Sequence, residues 1–287
     1  MTVERFTPEV WPSVVFGLSE NNYHSFDAMS ASRLRTLDKS TSLHLAHSLV
    51  TPMESPALAV GRALHSKVLT PASYLSDFAI APPCDRRTTA GKAKWDSFVL
   101  SAAAKTVLSG DQSEEVDAMH RSIMKHPDAK MIIADLSGQS EVSLFAEVAG
   151  IKAKARFDRL VEAQGERIIV DVKTTASSAS KSEFEKTIWN FGYGIQSAFY
   201  LDMAARCGVP AQHFVFVVVE KTAPYAVAVY RFSDEIAQAF RPRMLELISE
   251  YKEFKESGPK GYEGVTEIGI PAWAANRMTT PELGRVL

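Results

Sequence analysis

The sequence predicts an α/β fold, a mixed central sheet flanked by helices with a helical N-terminal region, and three observations carry that prediction. Short alternating runs begin at Glu141 and follow one another as EVSLFAEV, IKAKARFDRLV and RIIVDVKTT, the pattern of a three-stranded meander. Further on, HFVFVVVE is apolar at nearly every position, as a strand covered on both faces must be. Ahead of Glu141 the apolar residues recur instead at helical spacing.

Taken in order, residues 31 to 48 and 57 to 70 read as helices, with Ser30 placed to cap the first and Pro56 to start the second. Residues 73 to 90 read as loop. Helices follow over 91 to 107 and 111 to 125, separated by Gly110 and closed by Pro127. The meander turns at Ala149–Gly150 and at Gln164–Gly165. A helix from about Gly194 to Cys207 crosses to HFVFVVVE, and YAVAVYRF returns after KTAP as its hairpin partner. The final helix starts near Ser233 with acidic residues in its first turn, and Pro242 is expected to kink it before it resumes through about Phe254. No Gly/Ser/Pro-rich linker, repeat or low-complexity tract divides the chain, so residues 1–287 are expected to form one domain. Its parts would be a mainly helical region over 20–135 with a basic loop at 83–94, a core over 136–256 and a tail over 257–287.

Composition narrows the function classes. The 287 residues suffice to bury most of the unfolded surface in one large domain. No apolar run approaches the roughly 20 residues of a membrane span, and MTVERFTPEV lacks a signal-peptide core, so a cytoplasmic location is expected. Cys84 and Cys207 alone can build neither a disulfide framework nor a four-cysteine iron–sulfur cluster, and reduced thiols are expected. The net charge is −2, yet positive charge is concentrated. Arg86, Arg87, Lys92 and Lys94 face Asp85 alone, while Lys152, Lys154, Arg156 and Arg159 crowd around Asp158. Such clusters either line a path for nucleic acid or are solvated surface, and the sequence leaves both open.

The chemistry lies in IIVDVKTT, which delivers Asp171 and Lys173 to the same face of one strand, thirteen positions after Asp158. Two carboxylates and a lysine at neighbouring strand ends can hold a divalent metal and steady water against a phosphate, although a D-x-K also marks many ordinary strand ends. His65 shares a helical face with Leu58, Gly61 and Val68, which turns its imidazole inward. Gln196 and Tyr200 stand four apart on one helical face and can reach the same neighbour.

This order, H…D…DxK…QxxxY, resembles the PD-(D/E)xK nuclease superfamily in its RecB-like branch. With YHSFDAMSASRL, GRALHSKVLTP and PCDRRTTAGKAKWDSF in sequence, residues 20 to 275 resemble the RecE-type exonucleases of phages and prophages, the exodeoxyribonuclease VIII family. The resemblance implies Mg²⁺, with Mn²⁺ able to substitute, and two ions per site. It makes Asp158 and Asp171 ligands together with the Val172 carbonyl, and His65 a ligand to the second ion. Lys173 would orient or help deprotonate the attacking water, and Gln196 and Tyr200 would border the site. Glu141 is either a further carboxylate near the metals or a solvated strand end. Arg86, Arg87, Lys92, Lys94 and Arg156 are the expected DNA-binding residues. Trp95 either stacks on a base or anchors its helix. Trp189, Phe191 and Tyr193 either separate strands or pack beneath the site.

The implied activity is 5′–3′ digestion of double-stranded DNA, releasing 5′ mononucleotides and leaving 3′ overhangs. The family also implies a ring-shaped homo-oligomer, a tetramer in RecE, and a RecT-type single-strand annealing partner. The chain lacks RecE's long N-terminal extension and so reads as a free-standing enzyme. Alternatives are a RecB-like endonuclease, a structure-specific nuclease of the same fold and a non-catalytic DNA-binding module.

Overall fold

The computed structural model of the chain describes residues 6–51 and 54–271; the opening residues 1–5 and the part of the expected tail from 272 to 287 lie outside the described residues. In chain order the elements are β1 (Ser13–Val15), α1 (Glu20–Ser25), α2 (Ala31–Lys39), α3 (Ser42–Val50), α4 (Pro56–Leu69), α5 (Pro71–Asp77) and β2 (Phe78–Ile80). Then come α6 (Thr89–Ser101), β3 (Thr106–Leu108), α7 (Gly110–Lys125), α8 (Pro127–Lys130) and a π-helical turn (Met131–Asp135). The strands β4 (Gly138–Val148), β5 (Ile151–Ala163) and β6 (Glu166–Thr175) form the meander, and α9 (Lys181–Phe191) and α10 (Tyr193–Arg206) follow it. The described chain closes with β7 (His213–Glu220), β8 (Val227–Arg231) and α11 (Asp234–Ser257).

The predicted mixed sheet is present, with six strands in the order β1-β4-β5-β6-β7-β8. Its pairs are antiparallel except β6 with β7, which run parallel because α9 and α10 carry the chain back across the sheet. Both meander turns need positive φ at two successive residues, found at Ala149 and Gly150 (52° and 77°) and at Gln164 and Gly165 (54° and 82°). One face of the sheet packs Leu144, Phe157, Ile169, Phe216 and Val218 against α2, α10 and α11. Against the other lie α4, α7 and the π-helical turn, over Val161, Val170, Val172, Val215 and Val217. Glycine at 194 permits the approach of α10 to α11, since a Cβ there would meet the Phe240 ring at 2.2 Å.

Several elements differ from expectation, each for a local reason. The helix expected over 31–48 breaks into α2 and α3, because the Ser40 hydroxyl donates to the Thr36 carbonyl (2.6 Å) and Thr41 takes the N-cap position of α3. Ser30 stands at the N-cap of α2 but bonds the Ser32 hydroxyl (3.0 Å) rather than a backbone N–H. Pro56 does open α4, which Ser55 caps. The stretch expected as loop holds α5 and β2. Strand β2 pairs with β3 in a separate two-stranded parallel sheet, a long-range pairing that local periodicity does not reveal, and α6 therefore stops at Ser101 instead of reaching 107. The sequence reading missed α9 and β1. At the C-terminal end α11 runs from Asp234 to Ser257 as one helix with Pro242 inside it.

Candidate active site

The site is a fork in the sheet. Strand β5 pairs with β4 along nearly its whole length, but with β6 only from Arg159↔Val170 outward to Ala163↔Glu166. Where the next ladder bond would form, the Asp158 carboxylate takes over, its Oδ2 accepting the Val172 N–H at 2.7 Å. Alternation along β5 also slips there: Phe157 and Leu160, three apart, pack in one core, while Val161 packs in the opposite one. The slip turns Asp158 into the gap between the strands. Helix α4 brings His65 to the same point, with Nδ1 3.4 Å from Asp158 Oδ2.

On the other arm of the fork, Asp171 is buried at 1% exposure. Its Oδ1 accepts the Gln196 amide N–H at 2.7 Å, and its Oδ2 lies 2.5 Å from Lys173 Nζ. Lys173 also sits 4.7 Å from the centre of the Tyr193 ring. Burial draws the lysine pKa down, but Asp171, Tyr193 and Asp158 outweigh it and leave the ammonium raised above its ordinary value. The Asp158 carboxyl is pushed up to about 7 by burial, with Asp171 and Glu141 adding to the rise and His65 and Lys173 opposing it. Tyr200 packs against Phe157 (ring centres 5.0 Å) one turn beyond Gln196, and burial raises its hydroxyl pKa well above the usual value. The structure thus brings together His65, Asp158, Asp171, Val172, Lys173, Gln196 and Tyr200. Tyr193, the lysine's aromatic neighbour, was expected only within an aromatic group that either separates strands or packs beneath the site. Its spacing from Gln196, i to i+3 on one helix, was the available signal.

The donor set fits a hard divalent cation. Two carboxylates and an imidazole line the fork, and added positive charge would relieve both the burial and the repulsion from Asp171 and Glu141 that raise Asp158. Among the described residues no three His, Cys, Asp or Glu side chains already enclose one point, so an ion would share Asp171 with Lys173.

A family model described as a "PDDEXK-like domain of unknown function (DUF3799)" matches residues 30–263. The chain belongs to this PDDEXK-like family. Among solved structures it is similar to a "Putative exonuclease" from Eubacterium rectale, with TM-score 0.58 and 15% identity over 91% of this chain and 98% of that one, a likeness that speaks for the fold. Two weaker likenesses carry no argument. They are to SSO0001 (TM-score 0.31, 16% identity, 67% and 84% covered) and to VC1899 from Vibrio cholerae (TM-score 0.25, 11% identity, 85% and 58% covered). No curated protein matches the chain. The superfamily resemblance read from H…D…DxK…QxxxY is therefore borne out.

Outside the fork, this PDDEXK-like domain places the expected DNA-binding residues in two surroundings. Arg156 is only 16% exposed and is ion-paired through Nε with Glu141, so Glu141 is neither solvated nor free beside Asp158. Lys154, which the sequence left open as path lining or solvated surface, is neither: it is buried, donating to the carbonyls of Tyr23 (2.8 Å) and Phe26 (2.5 Å), and so caps the C-terminal end of α1. The loop before α6 is the second surrounding. Arg86 lies over the Trp95 ring (4.5 Å), Arg87 pairs with Asp85 (3.1 Å), Lys94 donates to the Pro83 carbonyl (3.3 Å) and Lys92 is exposed. Thr88 caps α6, and Gly91 lies so close to the Asp85 carbonyl that a Cβ would stand 1.9 Å from its oxygen. That glycine serves the loop's own closure. Trp189 is 71% exposed, whereas Tyr193 is buried.

Proposed function

We propose that the chain is a Mg²⁺-dependent exonuclease that digests double-stranded DNA from 5′ ends, releasing 5′ mononucleotides and leaving 3′ overhangs. The observation that carries the catalytic part is the buried Asp171–Lys173 pair facing Asp158 across the fork. Polarity, the two-ion count, a homo-oligomeric ring and a RecT-type annealing partner come from the RecE resemblance, and they belong to the same proposal together with the cytoplasmic location expected from the sequence.

Asp158, Asp171, the Val172 carbonyl and His65 would hold the metal, which when bound supplies charge neutralisation and an activated water. The chain's own residues do the rest. Gln196 fixes the Asp171 carboxylate by donating to Oδ1, leaving Oδ2 to face Lys173. Lys173, with its pKa raised, stays an ammonium at neutral pH and so cannot take a proton from water. Its role is to orient the phosphate and offset the negative charge that grows on it. Helix α10 packs on one face of the sheet at the fork and α4 on the other.

The test uses a linear duplex labelled separately at its 5′ and 3′ ends, beside closed circular DNA, with and without Mg²⁺. Early metal-dependent release of the 5′ label, with circles intact, is expected. Early release of the 3′ label would reverse the polarity, and cut circles would make the enzyme an endonuclease.

A further inference from the structure

Four non-glycine residues among those described have positive φ: Glu141, Ala149, Gln164 and Tyr225. Ala149 and Gln164 lie in hairpin turns, and Tyr225 ends the turn whose N–H returns to the Thr222 carbonyl (2.8 Å). Glu141 alone, at φ 55°, lies inside a strand. A glutamate is held in the left-handed region only when its surroundings demand it, and such residues gather where a strand is bent to aim a side chain.

Its position says what is aimed. Ser140 pairs with Arg159 and Val142 with Phe157, so Glu141 faces Asp158 across the β4–β5 ladder, and this one pair drops out of the register. On one side of the irregularity the Glu141 carboxylate grips Arg156. On the other, Arg159 donates to the carbonyls of Ile132 (3.2 Å) and Leu136 (2.8 Å) and to the Ser140 hydroxyl (3.2 Å). Asp158 is therefore flanked at two residues before and one residue after by arginines braced to other parts of the fold. Both members of the first brace are largely buried, at 16% and 22% side-chain exposure, and Arg156 Nη1 is buried without a partner. An ion pair so placed contributes geometry more than stability, because removing two charges from water offsets most of their attraction.

We propose that Glu141 is a positioning residue: through Arg156 it holds the irregular turn of β5 that presents the Asp158 carboxylate to Val172 and to the metal site. It touches neither metal nor substrate, and Arg159 braces the same turn from the other end. The inference rests on the metal-dependent nuclease reading above.

The experiment compares Glu141→Gln, Glu141→Gly, Arg156→Ala and the double variant Glu141→Gln/Arg156→Ala with wild type. Three quantities are read: the Mg²⁺ concentration for half-maximal cleavage, the rate at saturating Mg²⁺, and duplex-end affinity in the absence of metal. Each single variant is expected to need about tenfold more Mg²⁺, with duplex affinity within about twofold of wild type. The double variant is expected to be no worse than Arg156→Ala, since the two act as one unit. Glu141→Gly, which frees the backbone from the left-handed requirement, should keep the fold yet share the defect.

Wild-type metal dependence in Glu141→Gln and Glu141→Gly would overturn the proposal. So would cleavage that falls only in step with the folded fraction seen by circular dichroism. A normal Mg²⁺ requirement in Arg156→Ala beside a weakened Glu141→Gln would make Glu141 a direct ligand and overturn it equally. If wild type itself shows no metal-dependent cleavage, the nuclease reading fails first, and that outcome is separate from all of these.

Discussion

At the residue scale, charge in the fork is shared among Asp158, His65, Asp171 and Lys173. Lys173 faces Asp171 at 2.5 Å and is raised above its ordinary pKa, so its contribution is positive charge at a fixed point. Such a group should act on turnover rather than on DNA affinity. Lys173→Ala is predicted to bind duplex ends nearly normally and to cleave at least ~100-fold more slowly at saturating substrate. Collapse of binding with surviving turnover would make Lys173 a docking residue instead. The D-x-K pair and the QxxxY spacing were legible because strand and helix periodicities place their members on one face. The Glu141–Arg156 pair was not: the two-residue turn at Ala149–Gly150 sets residue 141 opposite residue 158, but nothing in local spacing tells that Glu141 takes a positive φ or that its carboxylate turns to Arg156.

At the element scale, Lys154 shows how burial converts an apparent basic lining into a strap. Burial pulls its ammonium down to about 8, with Arg33 adding to the fall and Asp27 opposing it. Between about 8 and the ordinary 10.5 the folded chain therefore binds fewer protons here than the unfolded chain. Unfolding free energy should rise with pH through that window. Lys154→Met should lose this rise, measured as the difference between urea midpoints on either side of the window; parallel behaviour of variant and wild type would mean that another group titrates. The loop before α6 is a second element with a separable prediction. Arg86 and Arg87 rest on Trp95 and Asp85, yet both remain exposed. If they grip phosphate, their joint replacement by Ala flattens the dependence of log affinity on log salt by up to about two units and leaves cleavage of a short saturating substrate intact. An unchanged slope would remove this loop from the DNA path.

At the scale of the whole molecule, the sheet and its flanking helices could be read because the meander alternates cleanly and HFVFVVVE is apolar at nearly every position. Besides the local helices α1 and α9, what escaped was non-local: the β2–β3 pairing, the short β1 against β4, and the fork itself. The fork depends on β5 pairing with β4 while it parts from β6. Among the described residues no helix is long and apolar enough to cross a membrane. The fork is where the fold becomes chemistry, and Asp171 is its most buried carboxylate, held by Gln196 and facing Lys173. Cleavage of linear duplex DNA at saturating Mg²⁺ by wild type and by Asp171→Ala, with folding followed by circular dichroism, is the most direct measurement. The account predicts metal-dependent cleavage by wild type and a loss of several orders of magnitude in a folded Asp171→Ala. Substantial Mg²⁺-dependent cleavage by Asp171→Ala would contradict it.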